Sequence, residues 1–274
     1  MASTGAGRTG FSDVDASGRP EQLIDYLDAA RRQPVVAASK EWSVAQLQLE
    51  SGQRALDVGC GTGEDVVSMA ALVGPTGQAI GLDSSHAMIS EASRRHRDVP
   101  QASFRVGDAE RLPFAGRSLD GCRAERTLQH LSDPKAAVAE MARVVREGGR
   151  AALVEPDWET LVIEGADAAV SAVIWAHHIT RHPHPRIGRR LWALLTTQGF
   201  TDVSVSAGVV VHTEFAHSQR AFGLTAAAVG ASGAGLLSGD EAGRWLADLE
   251  ASSASGQFFC ALTSFWVAGT KGSA

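Results

Sequence analysis

Three cysteines, one tyrosine and no long apolar run are the first facts of this sequence. Cys60, Cys122 and Cys260 are an odd number, widely spaced, with no CxxC pair, so neither a disulfide framework nor a thiolate metal knuckle is encoded. That usage fits a reducing, cytoplasmic compartment. No apolar stretch reaches the roughly 20 residues of a membrane-spanning helix, and the Gly/Ser/Thr-rich start lacks a signal-peptide core. Basic tracts are also missing. The formal charge is -6, and Arg94-Arg95 and Arg189-Arg190 are isolated pairs on solvated helix faces, so phosphate-rich partners are disfavoured. What remains is a hydrophobic fraction of 44%, enough for one globular domain. Residues 1–18 read as a flexible tail and residues 19–274 as a single domain, monomeric or homodimeric.

Periodicity then sets the class. Leu23, Ile24, Leu27 and Ala30 recur at helical spacing, and a second helix is expected over 35–50. From Arg54 strands and helices alternate: strand 54–58, helix 64–73, strand 78–82, helix 86–97, strand 103–106, strand 119–124, helix 134–146, a turn at Glu147-Gly148-Gly149, and strand 150–155. Such alternation implies βαβ units with right-handed crossovers, a doubly wound, mainly parallel α/β sheet. The pattern lapses over 156–185, where Trp158, Trp175 and His177, His178, His182 and His184 cluster. It resumes with helix 186–198, strand 203–211, an Ala/Gly-rich, partly helical stretch over 215–237, helix 239–252 and a closing strand 258–268. Residues 156–185 and 215–237 are expected to cover the substrate side as helical lid segments.

The first strand runs into Gly59-Cys60-Gly61-Thr62-Gly63. Glycines at alternate positions permit a tight turn and close backbone approach to a ligand. The spacing is GxGxG, not the dinucleotide GxGxxG, and no P-loop Lys-Ser/Thr follows. Asp83 ends the second strand, twenty residues after Gly63, where a carboxylate can accept from both hydroxyls of an unphosphorylated ribose. Asp108 ends the third strand, beside an adenine amine. Asp57 either caps loop amides or touches the ligand. Cys60, with no basic neighbour in sequence, reads as a loop filler.

Leu56–Gly63, Gly81-Leu82-Asp83, Gly107–Phe114 and Leu128–Pro134 together resemble the successive motifs of class I S-adenosylmethionine methyltransferases. Asp108-Ala109-Glu110-Arg111-Leu112-Pro113-Phe114 is similar to the small-molecule branch that includes ubiquinone and menaquinone C-methyltransferases and enzymes of secondary metabolism. The resemblance covers residues 54–155. It implies a seven-stranded Rossmann-like sheet with an antiparallel last strand, S-adenosylmethionine as cofactor and S-adenosylhomocysteine as product. It also implies roles. Asp57 or Gly59, with Cys60 and Gly61, lies under the methionine moiety, and Tyr26 closes over it. Asp83 holds the ribose. Ser84 and Met88 flank the adenine, and Gly107, Asp108 and Ala109 meet its edge. Arg123 or Ala124 closes the site.

Catalytic candidates are His130, in the loop after the fourth strand, and His178. His178 and His182 stand four apart, but no HExxH glutamate accompanies them and Pro183 and Pro185 break a helix there, so no metal is expected. Trp158, Trp175, Phe215 and Phe222 either line an aromatic-accepting pocket or pack the core; Trp192, on a regular helix, is expected in the core. Glu155 either faces the acceptor or fixes the next turn. The expected partner is a small organic acceptor, a natural product or a quinone-like or aromatic compound; Ala, Gly and Arg richness suits a high-GC bacterium. Two other readings stand beside it. A nicotinamide oxidoreductase is opposed by the loop spacing and by Tyr26 being the only tyrosine, which rules out a Tyr-x-x-x-Lys pair. A noncatalytic or repurposed cofactor-binding protein would keep the same motifs.

Overall fold

The computed structural model describes Phe11 and residues 13–273. Its strands are β1 (Arg54–Val58), β2 (Gln78–Asp83), β3 (Ala102–Val106), β4 (Leu119–Glu125), β5 (Val145–Pro156), β6 (Val162–Glu164), β7 (Phe200–His212) and β8 (Phe259–Lys271). The sheet runs β3-β2-β1-β4-β5-β8, with β7 on the far side of β8. β1 to β5 pair in parallel, and β8 pairs antiparallel to β5 and β7. The doubly wound sheet with its antiparallel last strand is therefore as expected. The sheet has eight strands rather than the expected seven: the additional one, β6, is three residues long and pairs with β8 beyond the end of β5.

β1 lies buried on both faces, as a central parallel strand must. Leu56 and Val58 join Leu82, Leu119, Met141 and Leu153 on one side. Ala55 joins Leu47, Met69 and Ala268 on the other. The helices are α1 (Pro20–Ala30), α2 (Pro34–Gln46), α3 (Glu64–Val73), α4 (His86–Arg95), α5 (Pro134–Val144), α6 (Ala168–Ile179), α7 (Leu191–Thr197), α8 (Phe215–Phe222), α9 (Leu224–Gly233) and α10 (Gly239–Ala254). Their starts carry recognisable caps. Ser85 Oγ accepts from Met88 N at α4, and Asp133 accepts from Lys135 N and Ala136 N at α5, where Pro134 takes the first helical position.

Several boundaries depart from the sequence reading: α2 stops at Gln46, β7 starts at Phe200 and β8 runs on to Lys271. The helix expected over 134–146 ends at Val144, and β5 begins at once at Val145; residues 147–149 are a register shift inside β5 rather than a turn, with Gly148 at φ 73°. The helix expected from Arg186 starts only at Leu191, after a 3-10 turn over Gly188–Arg190. Gly188 packs so closely on Glu155 and Pro156 that a Cβ would stand 2.9 Å from their carbonyl oxygens. The stretch 156–185 contains a regular helix, α6. Its N-cap is Asp167, but its sequence is apolar on almost every side, so no 3.6-residue period announces it. It packs with α8, α9 and α10 into a second hydrophobic cluster around Trp175, Trp245 and Phe258, a helical cap beside the sheet.

The expected tail is also revised. Residues 1–10 and Ser12 lie outside the described residues. The segment from Asp13 to Gly18 is docked: Val14 is buried, and Asp15 accepts hydrogen bonds from Ser85 Oγ (2.6 Å), His86 N (2.8 Å) and Ala87 N (3.2 Å). It thereby covers the exposed amides at the start of α4.

Candidate active site

A cavity of about 420 Å³ opens at the C-terminal ends of β1, β2, β3 and β4 and continues beneath the cap. Open α/β sheets hold ligands at this edge. Its floor is the glycine loop, where Gly59, Gly61 and Gly63 have φ of 73°, 51° and 88°. Gly59 is required twice over. Its backbone is left-handed, and a Cβ would stand 2.2 Å from Thr127 Oγ1. That hydroxyl donates to Val58 O (3.2 Å) and ties β1 to the end of β4.

Asp83 stands at the end of β2. Its Oδ2 accepts from Gly61 N (3.0 Å) and its Oδ1 from Ser85 N (2.9 Å). Burial raises its pKa, and those amides oppose the shift. Ser84, Met88, Gly107, Asp108 and Ala109 line the same end, and Tyr26 and Cys60 face it across the loop. Burial and nearby Asp83 push the Cys60 thiol well up, so it stays protonated and is no nucleophile.

The floor behind the loop is ionic. Arg123, 1% exposed, donates through Nη1 to Asp57 (3.0 Å) and Asp65 (2.7 Å), through Nη2 to Glu125 (2.5 Å), and through Nε to Ser43 Oγ (3.1 Å). Lys40 adds contacts to Asp65 (2.6 Å) and Glu125 (3.4 Å). Three carboxylates thus share two cations. Against the upward push of burial, Arg123 and Lys40 hold Asp65 below its ordinary value. Asp57 is the surplus acid: burial pushes it up to about 7, with Arg123 opposing. Asp57 is therefore tied to Arg123 rather than to loop amides, and Arg123 is an ionic hub beneath the cavity rather than a residue closing its mouth.

The other half of the cavity is aromatic. Trp158, Phe222, Trp266 and His182 stand on its wall with Val210 and Leu262. Trp158 stacks on His182 at 4.2 Å and donates to Gln129 Oε1 (2.7 Å). His130 also lines the cavity, with the Phe11 ring 5.8 Å away. Burial and the charge of Arg126 bring its pKa down to about 4. Burial takes His182 down to about 3, so both imidazoles are neutral near pH 7.

All twelve residues expected at the cofactor and His130 lie on this one cavity, but His178 does not. It sits a layer behind, 5.0 Å from Trp175 and 5.8 Å from His182, because α6 ends at Ile179 and the chain turns before His182. Trp175 and Phe215 pack within the cap, and Trp192 is 49% exposed rather than in the core. The described residues hold no cluster of three or more potential metal ligands and no helix long and apolar enough to cross a membrane. Sequence reasoning missed Phe11, Val14, Lys40, Asp65, Glu125 and Arg126, all on the cavity wall, and of the four histidines of 156–185 it is His182 that reaches that wall.

Glu155 fixes the neighbouring turn. Its Oε1 accepts from Thr127 N (2.7 Å) and Leu128 N (2.6 Å), while Oε2 has no partner. Burial pushes its pKa up to about 8, those amides opposing. The folded chain then holds a proton that the unfolded chain has released, so folding binds a proton and stability falls as pH rises from the ordinary carboxyl range through about 8, levelling off above it. Between pH 7 and 9 the wild type is expected to lose roughly 1 kcal/mol more than Glu155→Gln, read from urea unfolding at the two pH values.

Residues 56–153 match the family model described as a methyltransferase domain. An uncharacterized 37.1 kDa protein in transposon TN4556 of Streptomyces fradiae is 35% identical over 246 residues, 89% of this chain and 70% of its own length. The chain belongs to the class I S-adenosylmethionine-dependent methyltransferases. Among its other relatives are the O-methyltransferase resE of Aspergillus sclerotiorum and the demethylmenaquinone methyltransferase of Oceanobacillus iheyensis. Each is 34% identical, over 57% and 45% of this chain. Those matches span 58% and 54% of the two enzymes, little more than half of each. The YcgJ protein of Bacillus subtilis has a similar fold, with a TM-score of 0.60 at 19% identity over 87% of this chain and 100% of its own. The cofactor of this methyltransferase is S-adenosylmethionine, and the cavity suits it chemically. The floor carries one acid more than it has cations, matching a cationic ligand, and Asp83 presents a buried carboxylate at the rim of a side-chain-free loop.

Proposed function

We propose that this methyltransferase moves the cofactor's methyl group to a small, planar organic acceptor lying in the aromatic half of the cavity. The reading is supported above all by continuity: one cavity is lined at one end by Asp83 and the glycine loop and at the other by Trp158, His182 and Phe222. The relatives that act on quinone-like and O-acceptor compounds point the same way.

In this reading Asp83 accepts from the ribose hydroxyls. Ser84, Met88, Gly107, Asp108 and Ala109 surround the adenine. Gly59, Cys60 and Gly61 leave room for the methionine chain, and Asp57, the surplus acid over Arg123, takes its ammonium. Tyr26 and Phe11, whose rings lie 5.6 Å apart, cover that end. When bound, the cofactor supplies a sulfonium methyl that needs no further activation. The chain's task is then alignment and exclusion of water. Trp158 and Phe222, whose rings meet edge to face at 6.3 Å, give the acceptor an apolar wall. His130, neutral at pH 7, can accept a proton or a hydrogen bond from an acceptor hydroxyl.

The test uses S-adenosylmethionine with a deuterated methyl and a panel of quinols, phenols and aromatic acids, read by mass spectrometry. Deuterated methyl in a small-molecule product is expected. Label that enters only protein or nucleic acid, or no product at all, would refute the proposal.

A further inference from the structure

Four cations line the cavity: Arg31, Lys40, Arg123 and Arg126. Arg31 pairs with Glu64 at 3.2 Å, Lys40 with Asp65 and Glu125, and Arg123 with three acids. Among the described residues, Arg126 alone of the four pairs with no carboxylate. Its Nε is buried without any hydrogen-bond partner. A guanidinium has five donors and no way to discharge, so an orphaned donor of this kind costs free energy unless a ligand completes it.

Arg126 is also held in place. It follows β4 directly and has φ of 52°, a left-handed conformation that costs a non-glycine residue free energy. The neighbours enforce it: Arg126 N donates to Val154 O (2.8 Å), and the next two amides are gripped by Glu155 Oε1. Glu155, whose pKa its charge lowers, forms no ion pair with it. Its charge also acts on His130, and Gln129 and Trp158 line the same cavity. The acids of the ionic floor are engaged by Arg123 and Lys40. A fixed, unneutralised guanidinium beside flat aromatic walls matches a planar molecule with an anionic oxygen, for which arginine offers a two-pronged fork.

We propose that Arg126 determines acceptor specificity by binding an anionic oxygen, so that the acceptors of this methyltransferase are aromatic acids. The proposal rests on the reading of the aromatic half as the acceptor site.

Titration calorimetry of the chain saturated with S-adenosylhomocysteine tests it. The probes are benzoate and 2-naphthoate, each against its neutral amide of the same shape. The carboxylates are expected to bind at least roughly tenfold tighter than the amides. Arg126→Gln is expected to abolish that preference while leaving S-adenosylhomocysteine affinity within about twofold. Arg126→Lys keeps the charge but loses the fork, and is expected to keep only part of the preference; it serves also should the Gln variant fail to fold. Equal binding of acid and amide by the wild type, no binding of either acid, or a preference that survives in Arg126→Gln would each overturn the proposal. So would a large loss of S-adenosylhomocysteine affinity in Arg126→Gln, which would assign the cation to the cofactor's carboxylate. Failure of the wild type to bind S-adenosylhomocysteine at all is a separate result, and it would strike the cofactor site rather than Arg126.

Discussion

Arg123→Leu is expected to lower the unfolding free energy at pH 7 by about 3–5 kcal/mol, the cost of stranding buried charges whose partner has been removed. The arginine is 1% exposed and contacts Asp57, Asp65 and Glu125 at once. Without it, Lys40 alone faces three carboxylates. The pH dependence gives a second signature. In the wild type Asp65 is held below its ordinary value, so its contribution is present at neutral pH and lost only on acidification through that depressed value. In the variant, burial acts on these acids without the arginine, so their folded values rise above the unfolded ones. The folded variant then takes up protons, and its deficit shrinks as pH is lowered from 7 to 5. Urea unfolding at both pH values measures this. A deficit below 1 kcal/mol at pH 7, or one unchanged at pH 5, would mean that the hub carries far less than its contacts imply.

The second large effect falls on the cofactor. Asp83→Ala is expected to weaken S-adenosylhomocysteine binding by about 100-fold, the scale of a lost charge-assisted hydrogen bond of roughly 3 kcal/mol. Part of the loss comes from the loop itself, because the same carboxylate holds Gly61 N and Ser85 N. Asp83→Asn separates the two contributions: it keeps an acceptor but gives up the charge, and falls between wild type and alanine. Titration calorimetry decides. Undiminished binding by the alanine variant would remove Asp83 from the ribose site.

The contrast between Asp83 and Lys40 explains how far the sequence could be read. Asp83 is legible because strand, loop and helix have their own periods, and a carboxylate at the end of a parallel strand has a defined place. β1 and α3 matched their expected bounds for the same reason. Lys40 is a lysine on a helix and reads as an outward-facing charge. Only tertiary packing turns it and Ser39 toward Glu125, some 85 residues on. Asp15 is similar: its partners lie 70 to 72 residues away, and a Gly/Ser-rich surrounding hides it. His178 and His182 stand in one histidine-rich stretch that does not tell them apart. The end of α6, invisible in an all-apolar segment, decides which ring reaches the cavity. Arg126 carries no local signal, since its meaning lies in the lack of a carboxylate near it in space.

A crystal structure of the chain with S-adenosylhomocysteine tests the central claim most directly. The account predicts the ribose hydroxyls within hydrogen-bond reach of Asp83, the adenine beside Asp108, and the sulfur directed toward Trp158 and Arg126. Product bound outside this cavity, or lying in it with the sulfur turned away from the aromatic half, would contradict it.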